Sequence, residues 1–217
     1  MICGIIVVIA EPSVCVLIDY QNVHLTARDA FAPSGASARD TLVDPVAFAE
    51  KLIEVRSARQ RLAGQKLVRL DSIRVYRGIP SNQHEPTLYS AAQRQRAMWE
   101  RDRRVRMITR TLRYPRDFGR SWCGERPREE GIDVLIALDL VELAREGSYD
   151  VLILASHDTD LEPALDRAVQ QAGIAGRRVE TAGWEGMRRI RPTGRYVWHT
   201  FLDGGDYVKV RDRRQYW

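Results

Sequence analysis

The chain has 217 residues, 44% of them hydrophobic and 29% charged, with a formal net charge of +5. Such a composition excludes a disordered or fibrous chain and supports one sizeable core. Of the 34 basic residues 31 are arginine, a bias that favours bidentate phosphate contacts and follows equally well from genomic base composition.

The three cysteines, Cys3, Cys15 and Cys123, show neither C-x-x-C nor zinc-ligand spacing. They point to a reducing compartment, the cytoplasm, and carry no metal role. The first ten residues, MICGIIVVIA, are apolar but too few to cross a bilayer, and no basic segment precedes them as in a signal peptide. They read as an extra edge strand or an upstream extension from a misplaced start; the extension is the expectation, so residues 1–13 are set apart from the domain. No membrane association is expected.

Residues 14–19 (VCVLID) form an apolar run ending in an acid, a first parallel strand with Asp19 and Asn22 at its carboxyl end. Residues 29–44 are rich in Ala, Ser, Gly and Asp and read as a loop. Asp44-Pro45 then opens a helix to about residue 60, with a capping side chain and proline in the first turn. A second strand spans 67–76, bulged near Asp71. Another helix runs from Glu85-Pro86 to about 101, a strand covers 105–112, and 113–130 is loop-like.

Residues 133–146 (DVLIALDLVELARE) carry apolar side chains at the spacing of a helix laid on a sheet. Gly147-Ser148 breaks it. The continuous apolar run at 149–155 has the length of a central strand covered on both faces, and Asp158 and Asp160 follow it directly. A helix over 160–171 with Gly173 as its stop and a short strand at 178–182 come next. In the tail, 196–202 and 207–210 read as a small hairpin around Asp203-Gly204-Gly205. Alternating strands and helices give a single α/β domain, three-layered and doubly wound about a mostly parallel sheet, over residues 14–183. Residues 184–217 form a basic, aromatic extension packed on it.

Asp19, Asp133, Asp158 and Asp160 come from three separate elements, and parallel strands would deliver two of these elements to one sheet edge. Ligands of open α/β sheets bind at that carboxyl edge. Carboxylates gathered there repel one another unless a cation neutralises them. Mg²⁺ or Mn²⁺ suits an all-oxygen set and keeps waters, one of which can be activated for attack on phosphorus. Each acid also has an ordinary reading: Asp158 or Asp133 as a helix cap, Asp160 as a first-turn acid, Asn22 as a turn residue. Asp139, six residues beyond Asp133, points to another face of the helix, solvated or in a supporting role.

LIDYQN at 17–22, GIDVLIALDLVELA at 131–144 and YDVLILASHDTDL at 149–161 together resemble the NYN domain, a branch of the PIN-like nuclease superfamily. The resemblance covers residues 14–183 and implies metal-dependent RNA cleavage by Asp19, Asp133, Asp158 and Asp160, with Asn22 and Ser156 positioning. The chain departs from the family pattern twice. Glu130 stands where lysine usually precedes the glycine, adding negative charge. His157 replaces a glycine in a tight turn, as a tolerated turn residue or as an aid to a leaving group.

From Arg94 to Arg120, ten arginines stand against Glu100, Asp102 and Asp117, with Trp99, Tyr114, Phe118 and Trp122 interleaved. A charge run is usually a solvated face. Beside an acidic centre, the pattern also suits single-stranded RNA, phosphates on guanidinium groups and bases on rings. Arg103, Arg104, Arg106, Arg110 and Arg113 are the expected RNA contacts, and Arg188, Arg189, Arg191, Arg195, Trp198 and Tyr207 repeat the pattern more weakly. The leading expectation is an endoribonuclease, and the alternative is an RNA- or protein-binding module with little turnover. A haloacid dehalogenase-type phosphatase is disfavoured because position 21 is Gln, and a dinucleotide enzyme because no G-x-G-x-x-G follows the first strand. Oligomeric state is left open, a homo-oligomer included.

Overall fold

Strand β1 (Ser13–Asp19) runs through the middle of a six-stranded sheet in the computed structural model, which describes residues 11–62 and 67–217. On one side lie β2 (Arg69–Ile79) and β3 (Val105–Thr111); on the other lie β4 (Val151–Ala155), β5 (Arg178–Trp184) and β6 (His199–Leu202). The order is β3-β2-β1-β4-β5-β6, and every neighbouring pair is parallel, where a mostly parallel sheet was expected.

Strand side chains alternate between faces, and β1 shows how each face acquires its cover. Val14, Val16 and Ile18 pack under α1 (Tyr20–Phe31), α2 (Pro45–Leu62), α3 (Pro86–Trp99) and α6 (Gly204–Val210), through Val23, Phe48, Leu52, Trp99 and Tyr207. Cys15 and Leu17 face α4 (Ile132–Glu146) and α5 (Glu162–Ile174), meeting Ile136, Leu140 and Leu165. Each fully buried aliphatic side chain contributes about 1.5–3 kcal/mol, so both layers are firmly held. Between α2 and β5 one ion pair is sealed inside: Arg56 Nε and Nη2 donate to the two Glu180 carboxylate oxygens, each at 2.6 Å.

The chain leaves β1 toward one face and leaves β4 toward the other. The strand order therefore reverses between β1 and β4, opening a crevice at their carboxyl ends where ligands of such sheets bind.

Several sequence expectations change. Helix α1 lies where no helix was expected, because its buried side is built partly of Tyr20 and His24 rather than of a plain aliphatic stripe. The tail is no hairpin and no appendage. It supplies β6 to the sheet and α6 to one layer, since Asp203 and Asp206 form a reciprocal capping box that starts a helix where Gly204-Gly205 suggested a turn. Helix α5 continues past Gly173 to Ile174, and the left-handed glycine that follows is Gly176. The bulge near Asp71 is present: Val14 pairs with Leu70 and Cys15 with Ser72, leaving Asp71 over. The apolar residues 1–10 lie outside the described residues. Among the described residues no helix is long and apolar enough to cross a membrane.

Candidate active site

The crevice holds a cleft of about 570 Å³ lined by Asp19, Gln21, Asn22, Glu129, Asp133 and Asp158, among others. Asp19 ends β1 and is only 8% exposed. Its Oδ1 accepts from the Asn22 backbone N–H at 3.4 Å, capping α1, and its Oδ2 accepts from Ser156 Oγ at 2.8 Å. Ser156 Oγ in turn accepts from the Asp158 backbone N–H at 3.0 Å. Asn22 Oδ1 accepts from the His157 N–H at 2.8 Å. These bonds tie the end of β1 to the end of β4, so Ser156 and Asn22 are anchors of the crevice.

Burial pushes the Asp19 carboxyl up to about 6 against the Ser156 and Asn22 bonds, and the charges of Asp158 and Asp133 push the same way. Among the described residues no cationic side chain is hydrogen-bonded to it. Asp133, exposed in the first turn of α4, makes no capping bond; Gly131 holds the cap position with φ 73°. A side chain there would be strained, and its Cβ would also come 2.9 Å from Arg110 Nη1.

Asp158 is a half-buried cap: its Oδ1 accepts from the Asp160 N–H at 2.9 Å and starts the short 3₁₀ turn Thr159–Leu161. Asp160 is exposed on that turn and does not line the cleft. Asp139 is elsewhere altogether, bound to Arg74 Nη1 at 2.8 Å and Tyr76 OH at 2.7 Å, where it fastens α4 to β2.

Glu129 was missed by sequence reasoning. Its Oε1 accepts from the Gly78 N–H at 2.5 Å at the end of β2, and Gln21, with its amide turned to satisfy both groups, donates to both carboxylate oxygens at 3.1 and 2.9 Å. Burial raises the Glu129 carboxyl to about 7, and the Asp19 charge adds to that. The only sequence signal was the double glutamate before Gly131.

The two departures from the family pattern have local explanations. Arg113 Nη1 donates to both Glu130 oxygens, at 2.6 and 2.8 Å, and offsets that charge. His157 Nδ1 is 2.7 Å from the Arg188 carbonyl, while Nε2 accepts from the Trp184 N–H at 3.1 Å. Both ring nitrogens are therefore committed and the ring is neutral, since burial lowers its pKa. The turn needs no glycine, because no described non-glycine residue has positive φ. The ring lies against Gly183, where an added Cβ would collide with it.

The expected arginine surface divides in two. Arg103, Arg104 and Arg106 stand at the amino end of β3, roughly 15 Å or more from the carboxyl edge at about 3.3 Å per strand residue. Arg104 is also engaged with Asp102 and Glu50, at 2.7 and 2.6 Å. Arg110 and Arg113 lie at the carboxyl end, beside the loop closed by the Arg113–Arg128 bridge. There Arg113, Arg116, Arg126 and Arg128 line a groove of about 440 Å³. Of the interleaved rings, Trp99 is core, with Nε1 donating to Asp212. Tyr114 and Phe118 pack with His84. Trp122 is 70% exposed, with Arg120 over its face.

The donors in the cleft are all oxygen, the set a hard divalent ion takes, and the buried charge of Asp19 has an electrostatic cost that such an ion would relieve. They are not gathered as direct ligands: among the described residues no three His, Cys, Asp or Glu stand close enough to hold an ion together. The fit is to an ion that keeps several waters and touches few carboxylates directly.

The NYN domain family model matches residues 13–185, and the chain belongs to the NYN domain family, a branch of PIN-like nucleases. A solved structure of a protein of unknown function from Vibrio parahaemolyticus is similar at 21% identity and a TM-score of 0.48, covering 82% of this chain and 85% of that one. No curated protein matches the chain.

Proposed function

We propose that the protein is an Mg²⁺- or Mn²⁺-dependent endoribonuclease acting on single-stranded RNA in the cytoplasm. The observation that carries the reading is the meeting of Asp19, Glu129, Asp133 and Asp158, from four parts of the chain, in one cleft at the strand-order reversal. A bound divalent ion would supply a counter-charge for the scissile phosphate and a water of lowered pKa. Water adds to phosphorus and the bond to the 3′ oxygen breaks, leaving a 5′-phosphate and a 3′-hydroxyl. Asp19 is held in place by Ser156, Asp133 presents an open carboxylate beside it, and Asp158, whose Oδ1 caps the turn, presents its Oδ2. Asp160, outside the cleft, acts by extending the turn that Asp158 caps. The starts of α1 and α4 add partial positive charge at the cleft. Arg110, Arg113 and the loop arginines beside it hold phosphates of the strand.

The deciding measurement is cleavage of a generic single-stranded RNA with Mn²⁺, abolished by EDTA and by Asp158→Asn. The second reading, a binding module with little turnover, is favoured by the spacing of the carboxylates. Metal-independent RNA binding without cleavage would establish it instead.

A further inference from the structure

A second cavity, of about 240 Å³, opens beside the acidic cleft, between α1, α3, the carboxyl end of β2 and the residues Tyr216 and Trp217. Gln21, Leu25 and Glu129 line both spaces, so the two adjoin across these side chains. Its wall is mostly apolar, from Leu42, Leu88, Ala92 and Leu112, with the rings of Tyr20 and Trp217. Arg77 lies over the Tyr20 ring, 4.9 Å from its centroid, and donates to Gln95 Oε1. Gln95 is only 3% exposed, and its amide nitrogen makes no hydrogen bond among the described residues. Arg39 covers the Trp217 ring at 5.1 Å.

We propose that this cavity is a nucleobase pocket that takes one base of the RNA strand, guanine before the others, while the adjoining phosphate lies over the acidic cleft. The inference rests on reading the cleft as RNA-directed and names the subsite that would select where the strand is cut.

Three features support it. An apolar slot flanked by Arg77 and Arg39, whose guanidinium groups lie over the Tyr20 and Trp217 rings, suits a base splayed out of a single strand, since such bases stack on guanidinium planes as well as on rings. A volume below the roughly 300–1,000 Å³ of drug-sized sites admits one ring system and no stacked pair. The polar groups match one Watson–Crick edge better than the rest. Guanine offers two parallel donors, N1–H and N2–H, beside the acceptor O6. Glu129 accepts from the Gly78 N–H and, on both oxygens, from Gln21; the base would displace the Gln21 amide and set its two parallel donors there, while the Gln95 amide and Arg77 supply donors for O6. Uracil, cytosine and adenine each lack that donor pair.

The test uses the whole chain in EDTA, so that binding is read without cleavage, with 5′-GMP, AMP, CMP and UMP titrated by calorimetry. GMP is expected to bind at least about tenfold more tightly than the other three, the discrimination one bidentate contact supplies. Leu88→Trp and Ala92→Phe, which fill the cavity from α3, should each abolish GMP binding, and a melting curve confirms that each variant folds. Glu129→Gln should erase the preference for GMP. Absence of binding by all four nucleotides overturns the pocket, as does undiminished GMP binding in a folded filled variant. Equal binding of the four overturns the guanine assignment. Cleavage of RNA with Mn²⁺ is scored separately: RNA cut by a protein that binds no GMP removes the pocket and leaves the nuclease. GMP binding that the filled variants lose, in a protein that cuts no RNA, does the reverse.

Discussion

Two carboxylates lie deep in this sheet and are treated in opposite ways. Glu180, in the middle of β5, is 2% exposed and accepts from Nε and Nη2 of a guanidinium that is itself fully buried. Asp19, at the end of β1, is 8% exposed and, among the described residues, has a hydroxyl and a backbone N–H as hydrogen-bond partners and the acids Asp133, Asp158 and Glu129 nearby. A buried charge with its counter-ion built into the chain serves cohesion. One left without a counter-ion carries a cost that ordinary folding gives no reason to keep, and such groups concentrate at functional sites.

Breaking the matched pair should have the largest effect. Arg56→Met leaves Glu180 buried and unpaired and should cost about 3–5 kcal/mol in urea denaturation, while the double change Arg56→Met with Glu180→Leu should recover most of it. A single variant as stable as the wild type would erase the distinction. At the unmatched site, Asp158→Asn should lower Mn²⁺-dependent RNA cleavage at least about a hundredfold while RNA affinity persists, since the arginine surface is untouched. Near wild-type turnover would remove Asp158 from the chemistry.

The third contrast is with pH, in metal-free protein. The folded pKa values of Asp19 and Glu129 lie above their ordinary values, at about 6 and about 7. The folded state therefore holds more protons, so the stability contributed by these groups is fully present below about pH 4 and lost as pH rises to about 7. Asp19→Asn should flatten the fall between pH 4 and 6 by up to about 2–3 kcal/mol, read from melting curves in EDTA. A profile as steep as the wild type would mean that Asp19 is not the group titrating there.

The smallest effect concerns the loop groove. Arg116, Arg126 and Arg128 are exposed and form no ion pair among the described residues. Changing all three to Ser should weaken binding to unrelated single-stranded RNAs alike and reduce the log–log salt slope by about 0.7 per lost contact. The same change at Arg103 and Arg106 should leave the slope nearly intact, because they lie at the far end of β3.

The central unit, from Gly131 to Asp160, was legible because its signals are local: a helix-period stripe, a Gly-Ser break, an apolar run of strand length. So were the carboxylates that end strands or start helices. What escaped was set by partners far away in the chain. Glu129 enters the cleft through a bond to Gly78, and Trp99 became core because Asp212 accepts its N–H. Arg104 was drawn off by Glu50. The composition of the 94–120 segment suggested one continuous surface, but a parallel strand separates its two halves along its whole length. Helix α1 was overlooked because a buried Tyr and His close its packing face, a pattern that hydrophobic periodicity alone does not weigh.

The contact between His157 and Gly183 limits which pairs of substitutions this sequence accepts. The ring of one residue occupies the space where the other would carry a side chain, and it bridges the Arg188 carbonyl and the Trp184 N–H. Histidine fits at the first position while the second is bare, and a larger residue at the second requires the ring to move. The two sites, 26 positions apart, are thus tied in order: a smaller residue at 157 opens the space for a larger one at 183, and the reverse order meets the ring.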